Sequence, residues 1–290
     1  MYKTLSQYLK ARYGCRIKKI CIDGGFSCPN RDGKCGTGGC IYCGERGAGE
    51  HIDAARSIRE QVETGLAGGR ADGYIAYFQN FSNTYAPVEV LRERYSAALI
   101  DERIKVLAIG TRADCISEEI CDLLAEMQTK IDIWVELGLQ TASDATAKVI
   151  NRGYPTETFR RAAAMLSARG IPFVVHMIIG LPGESESEAI ATAKEILASG
   201  AWGIKIHSIY VMEGTRLADM YRQKLYTPPT FEEYTTTAAK VLAIIGDRLI
   251  VHRITGDCPE GMLVAPEWNR DKNKIINEIR EKLGEIEKQP

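Results

Sequence analysis

From residue 73 onward the chain alternates between short apolar runs and amphipathic stretches. "GYIAYFQ" (73–79) is rich in aromatic and β-branched residues and predicts a strand. "APVEVLRERYSAALI" follows with apolar residues at helical spacing, and Pro87 suits a first helical turn. "IKVLAIGTR" (104–112) predicts the next strand. Ser117 is placed to cap the helix "SEEICDLLAEMQ", whose first turn is acidic. "IDIWVELGLQ" (131–140) predicts a strand, then helical "SDATAKVI" and "PTETFRRAAAMLSARG", with Gly170 as the stop. "IPFVVHMIIGLPG" and "GIKIHSIYVMEG" are further strands around the helix "SESEAIATAKEILASG". The strands are near-continuous apolar runs, so both faces are expected to be buried, as in a parallel sheet. With "IKKICID" (17–23) in front, six strand–helix units recur at roughly thirty to forty residues, the size of a βαβ element. "DRLIVHRITGD" (247–257) offers a seventh strand. Right-handed crossovers wind such units into a barrel or part of one. No Pro/Gly/Ser-rich linker interrupts the series, which predicts one domain over 1–290, with a barrel core of about 17–225 and an extension of about 226–290.

The segment "SCPNRDGKCGTGGCIYCGERG" (27–47) breaks the rhythm. It leaves the first long strand and so falls at the rim where βα barrels carry their active sites. Its thiols are Cys28, Cys35, Cys40 and Cys43. The chain has nine cysteines. The N-terminal "MYKTLSQYLKARYG" lacks the apolar core of a signal peptide. No stretch reaches the ~18 apolar residues of a membrane span. Both point to a cytoplasmic chain with reduced thiols, where clustered cysteines read as metal ligands or catalysts. Four thiols spaced C-x6-C-x4-C-x2-C would make a closed zinc site. Three would hold an iron–sulfur cluster with one iron left open. Cys40 and Cys43 are the firm pair; the third ligand by spacing is Cys28 or Cys35. Cys15, Cys21, Cys115, Cys121 and Cys258 have no ligand spacing and read as small buried apolar residues.

Charge adds little. The net charge of −1 supplies no general field for nucleic acid. Lys3, Lys10, Arg12, Arg16, Lys18 and Lys19 form one local basic patch. In the terminal "RDKNKIINEIREKLGEIEK" acids balance bases, which reads as a solvated helix face.

Taken together, "DGGFSCPNRDGKCGTGGCIYC", "YIAYFQNFSNTYAPVEVLRE", "WVELGLQTASDATAKVINRGY", "HMIIGLPGE", "GIKIHSIYVMEGT" and "IVHRITGD" resemble the radical S-adenosylmethionine enzymes of the YhcC/YtqA (MnmL) type, related to the elongator catalytic subunit. The resemblance covers almost the whole chain. It implies an α/β fold, a partial (β/α)6 TIM-like barrel with a C-terminal extension. It implies a [4Fe–4S] cluster on C-x11-C-x2-C, hence metal ligands Cys28, Cys40 and Cys43, with Cys35 a bystander. It implies S-adenosyl-L-methionine as the second cofactor and an electron donor of the flavodoxin or ferredoxin type. The suggested substrate is tRNA, with the wobble carboxymethylaminomethyl-uridine converted to aminomethyl-uridine.

Several rim residues suit the second cofactor. Tyr42 is placed to pack on an adenine, or is a plain core aromatic. Gln79, Asn83 and Thr84 follow the second strand, where the superfamily holds the methionine end. Thr111 and Gln140 end later strands. Arg152 resembles the position that pairs with the methionine carboxylate, a role its fork geometry suits, and His176 resembles a ribose-binding position. Glu136, an acid among apolar neighbours, needs a partner. Lys205 and His207 alternate with isoleucines and share one face, so both are candidate substrate or catalytic residues. A substrate carboxylate would give Lys205 its partner, and Arg253 is the other candidate cation. His252 and Asp257 are further possible contacts. Two other functions fit less of the pattern: a radical enzyme on a small metabolite or protein side chain, which the near-neutral charge suits, and a four-cysteine zinc protein.

Overall fold

The computed structural model describes residues 2–47, 49 and 52–288. In chain order the elements are β1 (Lys3–Thr4), α1 (Leu5–Tyr13), β2 (Ile17–Ile22), α2 (Ile58–Ala67), β3 (Gly73–Phe78), α3 (Val88–Ala98), β4 (Ile104–Arg112), α4 (Glu118–Gln128), β5 (Asp132–Gln140), α5 (Asp144–Val149), α6 (Thr156–Ala168), β6 (Phe173–Ile179), α7 (Glu186–Ala198), β7 (Gly203–Ser208), β8 (Val211–Met212), α8 (Arg216–Arg222), α9 (Phe231–Ile245), β9 (Ile250–Arg253), β10 (Leu263–Ala265) and α10 (Lys272–Ile286). The expected strands all form. Ser117 caps α4 by accepting from the Ile120 N–H, and Gly170 stops α6 in the left-handed region.

The strands β1-β9-β7-β6-β5-β4-β3-β2 make one parallel sheet, curled into a half-barrel with β1 and β2 at its edges. From β2 to β9 the order is that of successive crossovers in one direction, with helices on the outer face, and β1 joins beyond β9. That outer face is the main core: Ile22, Phe78, Leu107, Val135, Val175 and Ile204 meet the helices there. The inner face is divided. Its lower half is apolar, with Ile75, Val106, Trp134, Val174 and Ile250 packed on Leu5 and Leu9 of α1. Its upper half is polar, and this division positions the site.

Beside its surface bases, the N-terminal segment supplies a plug. Leu5 and Leu9, four apart, stack on one side of α1 and close the floor of the half-barrel. Tyr8 meets Trp202 edge-on at 4.9 Å between ring centroids. Arg12 donates two 2.9 Å hydrogen bonds to Asp132 at the foot of β5. The sheet also draws on both ends of the chain, since β1 and β9 lie outside 17–225. The C-terminal helix α10 buries Ile275, Ile279 and Leu283 at i, i+4, i+8 and leaves its charges in water, as its alternating acids and bases imply. Among the described residues no helix is long and apolar enough to cross a membrane.

At the upper rim, the crossover from β5 to α6 is clamped by Arg152. This corrects the expectation that Arg152 meets a cofactor carboxylate. It is fully buried, and all five N–H donors are engaged: with Tyr154 O at 3.0 Å, Leu139 O and Thr141 O at 2.6 Å, Thr156 Oγ1 at 3.1 Å and Asp144 Oδ1 at 3.5 Å. Arg152→Ala strands three buried carbonyls. It is expected to lower unfolding stability in urea by about 3–5 kcal/mol, and Arg152→Lys, lacking the fork, to recover little of it.

Candidate active site

The cysteine loop leaves the top of β2 and is held in place by its own polar side chains. Arg31 donates to the carbonyls of Cys43, Gly44 and Glu45. Asn30 Nδ2 donates to Asn151 O at 2.6 Å and approaches Cys40 Sγ at 3.8 Å. Asn151 Nδ2 returns a bond to Gly39 O at 2.8 Å. Ile41, buried at 1 % exposure, anchors the loop in a second apolar cluster with Ile150, Leu181 and Leu217. The Cys43 N–H donates to Cys40 O at 3.0 Å, so one tight turn carries both thiols.

Cys28, Cys40 and Cys43 line one cavity of about 180 Å³. Cys35 does not. It sits on a separate depression of about 680 Å³ with Lys34, Thr84, Tyr85 and Cys115. There it lies 3.6 Å from Arg112 Nη2 and 3.7 Å from Asp114 Oδ2. Among the described residues no three His, Cys, Asp or Glu side chains are grouped to hold a single metal ion. Because Cys35 stands apart from the other three thiols, the four are not arranged as one tetrahedral zinc site. A [4Fe–4S] cluster fits the three, because each thiolate takes a different iron. Burial, with Cys43 adding to it, pushes the Cys40 thiol up to about 11. Without a bound cationic centre that thiol stays protonated.

Around the same cavity stand Tyr42, Gln79, Thr111, Glu136, Gln140 and His176, all expected from sequence. Gly110 and Gly138 supply open wall between them; a Cβ on Gly138 would meet Gln140 Nε2 at 2.5 Å. Two expected residues stand back from it. Asn83 donates to Phe78 O at 3.2 Å and Gly110 O at 2.7 Å, tying β3 to β4. Thr84 bonds Thr111 Oγ1 at 2.6 Å and donates to Cys115 O at 2.6 Å. Both brace the rim rather than line the cavity. Arg112, missed from sequence, does line it. Asp114 grips its guanidinium through two 2.8 Å bonds, and the ring of Tyr154 lies 4.8 Å away. Its signal was present in "GTRAD": an arginine ending a buried strand, with an acid two residues on.

Beneath the cavity lies a buried charge pair. Glu136 on β5 accepts from Lys205 Nζ and from Trp134 Nε1 at 3.3 Å, and its Oε2 is 2.9 Å from His176 Nε2. This corrects the expectation that Lys205 awaits a substrate carboxylate; Glu136 is its partner. Lys205 also donates to Tyr77 OH at 3.3 Å. Burial alone would raise Glu136, but Lys205 and His176 hold it well below the usual carboxylate range. Burial pulls Lys205 down to about 7, with Glu136 opposing. His176 is lowered by burial and by Lys205. His207 shares the inner face with Lys205, as the alternation predicts. Its ring lies 5.2 Å from that of His176, its Nε2 is buried without a partner, and burial holds it well below the usual histidine range.

Comparison with known proteins gives this geometry a family. The sequence signature described as the Radical SAM superfamily matches residues 32–196, and that of the Radical SAM C-terminal domain matches 201–285. Protein YtqA of Bacillus subtilis is 36% identical over 290 residues, covering 97% of this chain and 89% of YtqA. Protein YhcC of Escherichia coli is 36% identical over 280 residues, covering 96% of this chain and 90% of YhcC. More distantly, a tRNA uridine(34) acetyltransferase of Methanocaldococcus infernus is 27% identical over 210 residues, 68% of this chain and 39% of that protein. The solved structure of Methanocaldococcus infernus Elp3 superposes with a TM-score of 0.66 at 19% identity, covering 92% of this chain and 63% of that one, and supports the fold. On the superfamily match, and on kinship with YtqA and YhcC across nearly the whole chain, this protein belongs to the radical SAM superfamily: it is an enzyme, and its cofactors are the [4Fe–4S] cluster and S-adenosylmethionine of that superfamily.

Proposed function

We propose that the enzyme modifies tRNA at the wobble uridine, converting its carboxymethylaminomethyl group to aminomethyl. The carboxymethyl carbon would lose two electrons to S-adenosylmethionine as the oxidant, which leaves as methionine and 5′-deoxyadenosine. Water would then break the carbon–nitrogen bond, so that the two-carbon arm leaves as glyoxylate. The substrate class is supported by the kinship with proteins named tRNA uridine(34) acetyltransferase. The observation that carries the reaction class is the gathering of three thiols, and not the fourth, on one cavity. Cys28, Cys40 and Cys43 would hold the cluster and leave one iron for S-adenosylmethionine. When bound, the two cofactors supply a carbon radical able to take a hydrogen atom from an unactivated C–H bond.

The chain's own residues bind and orient. Arg112, fixed by Asp114, is the cation available to an anionic cofactor group at the rim, the part first given to Arg152. Gln79, Thr111 and Gln140 offer neutral donors and acceptors, Tyr42 an aromatic face, and His176 a ring held by Glu136. The Glu136–Lys205 pair ties β5 to β7 across β6 and fixes the floor on which the reacting group rests. A one-electron donor of the flavodoxin or ferredoxin type completes the system, and a tRNA substrate places it in the cytoplasm. The alternative, a small metabolite or protein side chain as substrate, is favoured by the net charge of −1.

Three outcomes test this reading. Alanine at Cys28, Cys40 or Cys43 should abolish bound iron, measured anaerobically by iron analysis and visible absorbance, while Cys35→Ala keeps about four irons per chain. Lys205→Met leaves Glu136 buried without its lysine counter-charge. Denaturant titration should show a loss of about 3–5 kcal/mol, largely restored in Lys205→Met/Glu136→Gln. Finally, reconstituted enzyme with reductant and S-adenosylmethionine should convert carboxymethylaminomethyl-uridine in tRNA to aminomethyl-uridine, read by nucleoside mass spectrometry. Cofactor cleavage that leaves every wobble uridine unchanged would hand the assignment to the small-substrate reading.

A further inference from the structure

The inner face of the sheet and its open edges carry more positive charge than the buried acid neutralises. Lys19 on β2 and Lys205 on β7 approach the same aromatic ring. Their Nζ atoms lie 5.1 Å and 4.6 Å from the centroid of Tyr77, itself buried on the inner face. Glu136 engages Lys205. Among the described residues no carboxylate stands within ion-pair distance of Lys19.

Arg253 adds a third cation by an irregularity of the sheet. Gly203 and Ile204 pair with Ile250 and Val251, but the register then shifts and Lys205 pairs with Arg253. Two cations therefore stand side by side on adjacent strands, an arrangement that repels. Shifts of this kind re-aim side chains and recur beside active sites. Arg253 reaches Asp257 at 3.5 Å, and that carboxylate also holds Lys272. The neighbouring imidazoles add no compensating charge: His207 Nε2 and both nitrogens of His252 are buried without partners. The two cations without a full partner, Lys19 and Arg253, stand on β2 and β9. These strands flank the open side of the sheet, with only the two-residue β1 beyond β9.

The geometry points to an oxyanion site in which Lys19 and Arg253 clamp the carboxylate of the substrate from the two sides of the open flank, above the ring of Tyr77. Its occupant rests on the wobble-uridine reading: the carboxymethyl arm of the base leads into the half-barrel, whereas nucleic-acid phosphates lie on the backbone and stay outside when a base enters. The carboxylate is thus the feature by which the enzyme separates its substrate from its product, since the product arm ends in an amine that two cations repel.

Equilibrium binding to the reconstituted holoenzyme, with the cluster oxidised and S-adenosylmethionine present, tests the site. The probes are three free compounds: carboxymethylaminomethyl-uridine, aminomethyl-uridine and uridine 5′-monophosphate. The first should bind at least about tenfold more tightly than the other two, and Lys19→Met and Arg253→Met should each weaken it about tenfold to hundredfold while leaving aminomethyl-uridine unchanged or tighter. Both side chains are exposed, and thermal melting checks that the variants fold. Equal binding of the two nucleosides, no saturable binding of the first at millimolar concentration, or variants that discriminate like the wild type overturns the clamp. Tighter binding of the monophosphate overturns the carboxylate as occupant and assigns the cations to the RNA backbone. The wobble reading fails separately. If the carboxylate nucleoside binds as expected but tRNA is left unchanged, the clamp stands without it. If tRNA is converted and both variants keep the wild-type KM, the clamp falls and the wobble reading stands.

Discussion

A carboxylate buried at the centre of an open parallel sheet is the constraint around which the upper half of this molecule is arranged. Glu136 is 1 % exposed, and an ionised acid in that position persists only when its oxygens are fully engaged. The engagement comes from separate strands: Lys205 from β7, His176 from β6 and Trp134 from its own β5. Tyr77 on β3 receives the remaining reach of Lys205. Four inner strands are thus fixed relative to one another by polar contacts above a floor that is mainly apolar. A small slip of β7 against β6 would leave both charges unpaired, so the pair specifies register as well as stability. The cavity above inherits that precision, since Glu136 and His176 are also part of its wall.

The amount of this that could be read from sequence follows from what alternation encodes. Strands buried on both faces announce themselves as apolar runs, and the half-barrel followed. Lys205 and His207 fell on one face because side chains alternate along a strand. What alternation does not encode is the partner across the sheet. Glu136 lies 69 positions from Lys205, and only the pairing of His176 with Lys205 and of Gly138 with His176 brings them together. The two arginines illustrate the same limit. In "NRG" and in "GTRAD" the residue type and rim position are alike. Whether an arginine faces a cavity or is consumed by backbone carbonyls depends on how the next crossover folds over it. The plug α1 was obscured for another reason. Its two leucines are outnumbered by flanking bases, and an amphipathic segment of nine residues carries a weak periodic signal.

The polar surroundings of the cavity have a stability cost of their own. Asn30 Oδ1, Asn80 Oδ1, Ser82 Oγ and Asn83 Oδ1 are buried without hydrogen-bond partners. Each such oxygen forgoes about 1–3 kcal/mol. They are not scattered: Asn30 belongs to the cysteine loop, and the other three to the "QNFSNT" turn that packs on it. Together with the unpartnered imidazoles of His207 and His252 on the inner face, they put a large share of the broken local rules of polar satisfaction near the thiols and inside the half-barrel.

The plug in the floor has a consequence for traffic. With α1 packed below and helices wrapped around the outer wall, the polar chamber opens at the rim and along the unclosed edge between β2 and β9. Whatever is to react and whatever would quench the reaction must pass the same way. A vessel with one end sealed needs no hinged lid of its own if its guest is large enough to stopper it; filling the doorway and shutting it become a single event.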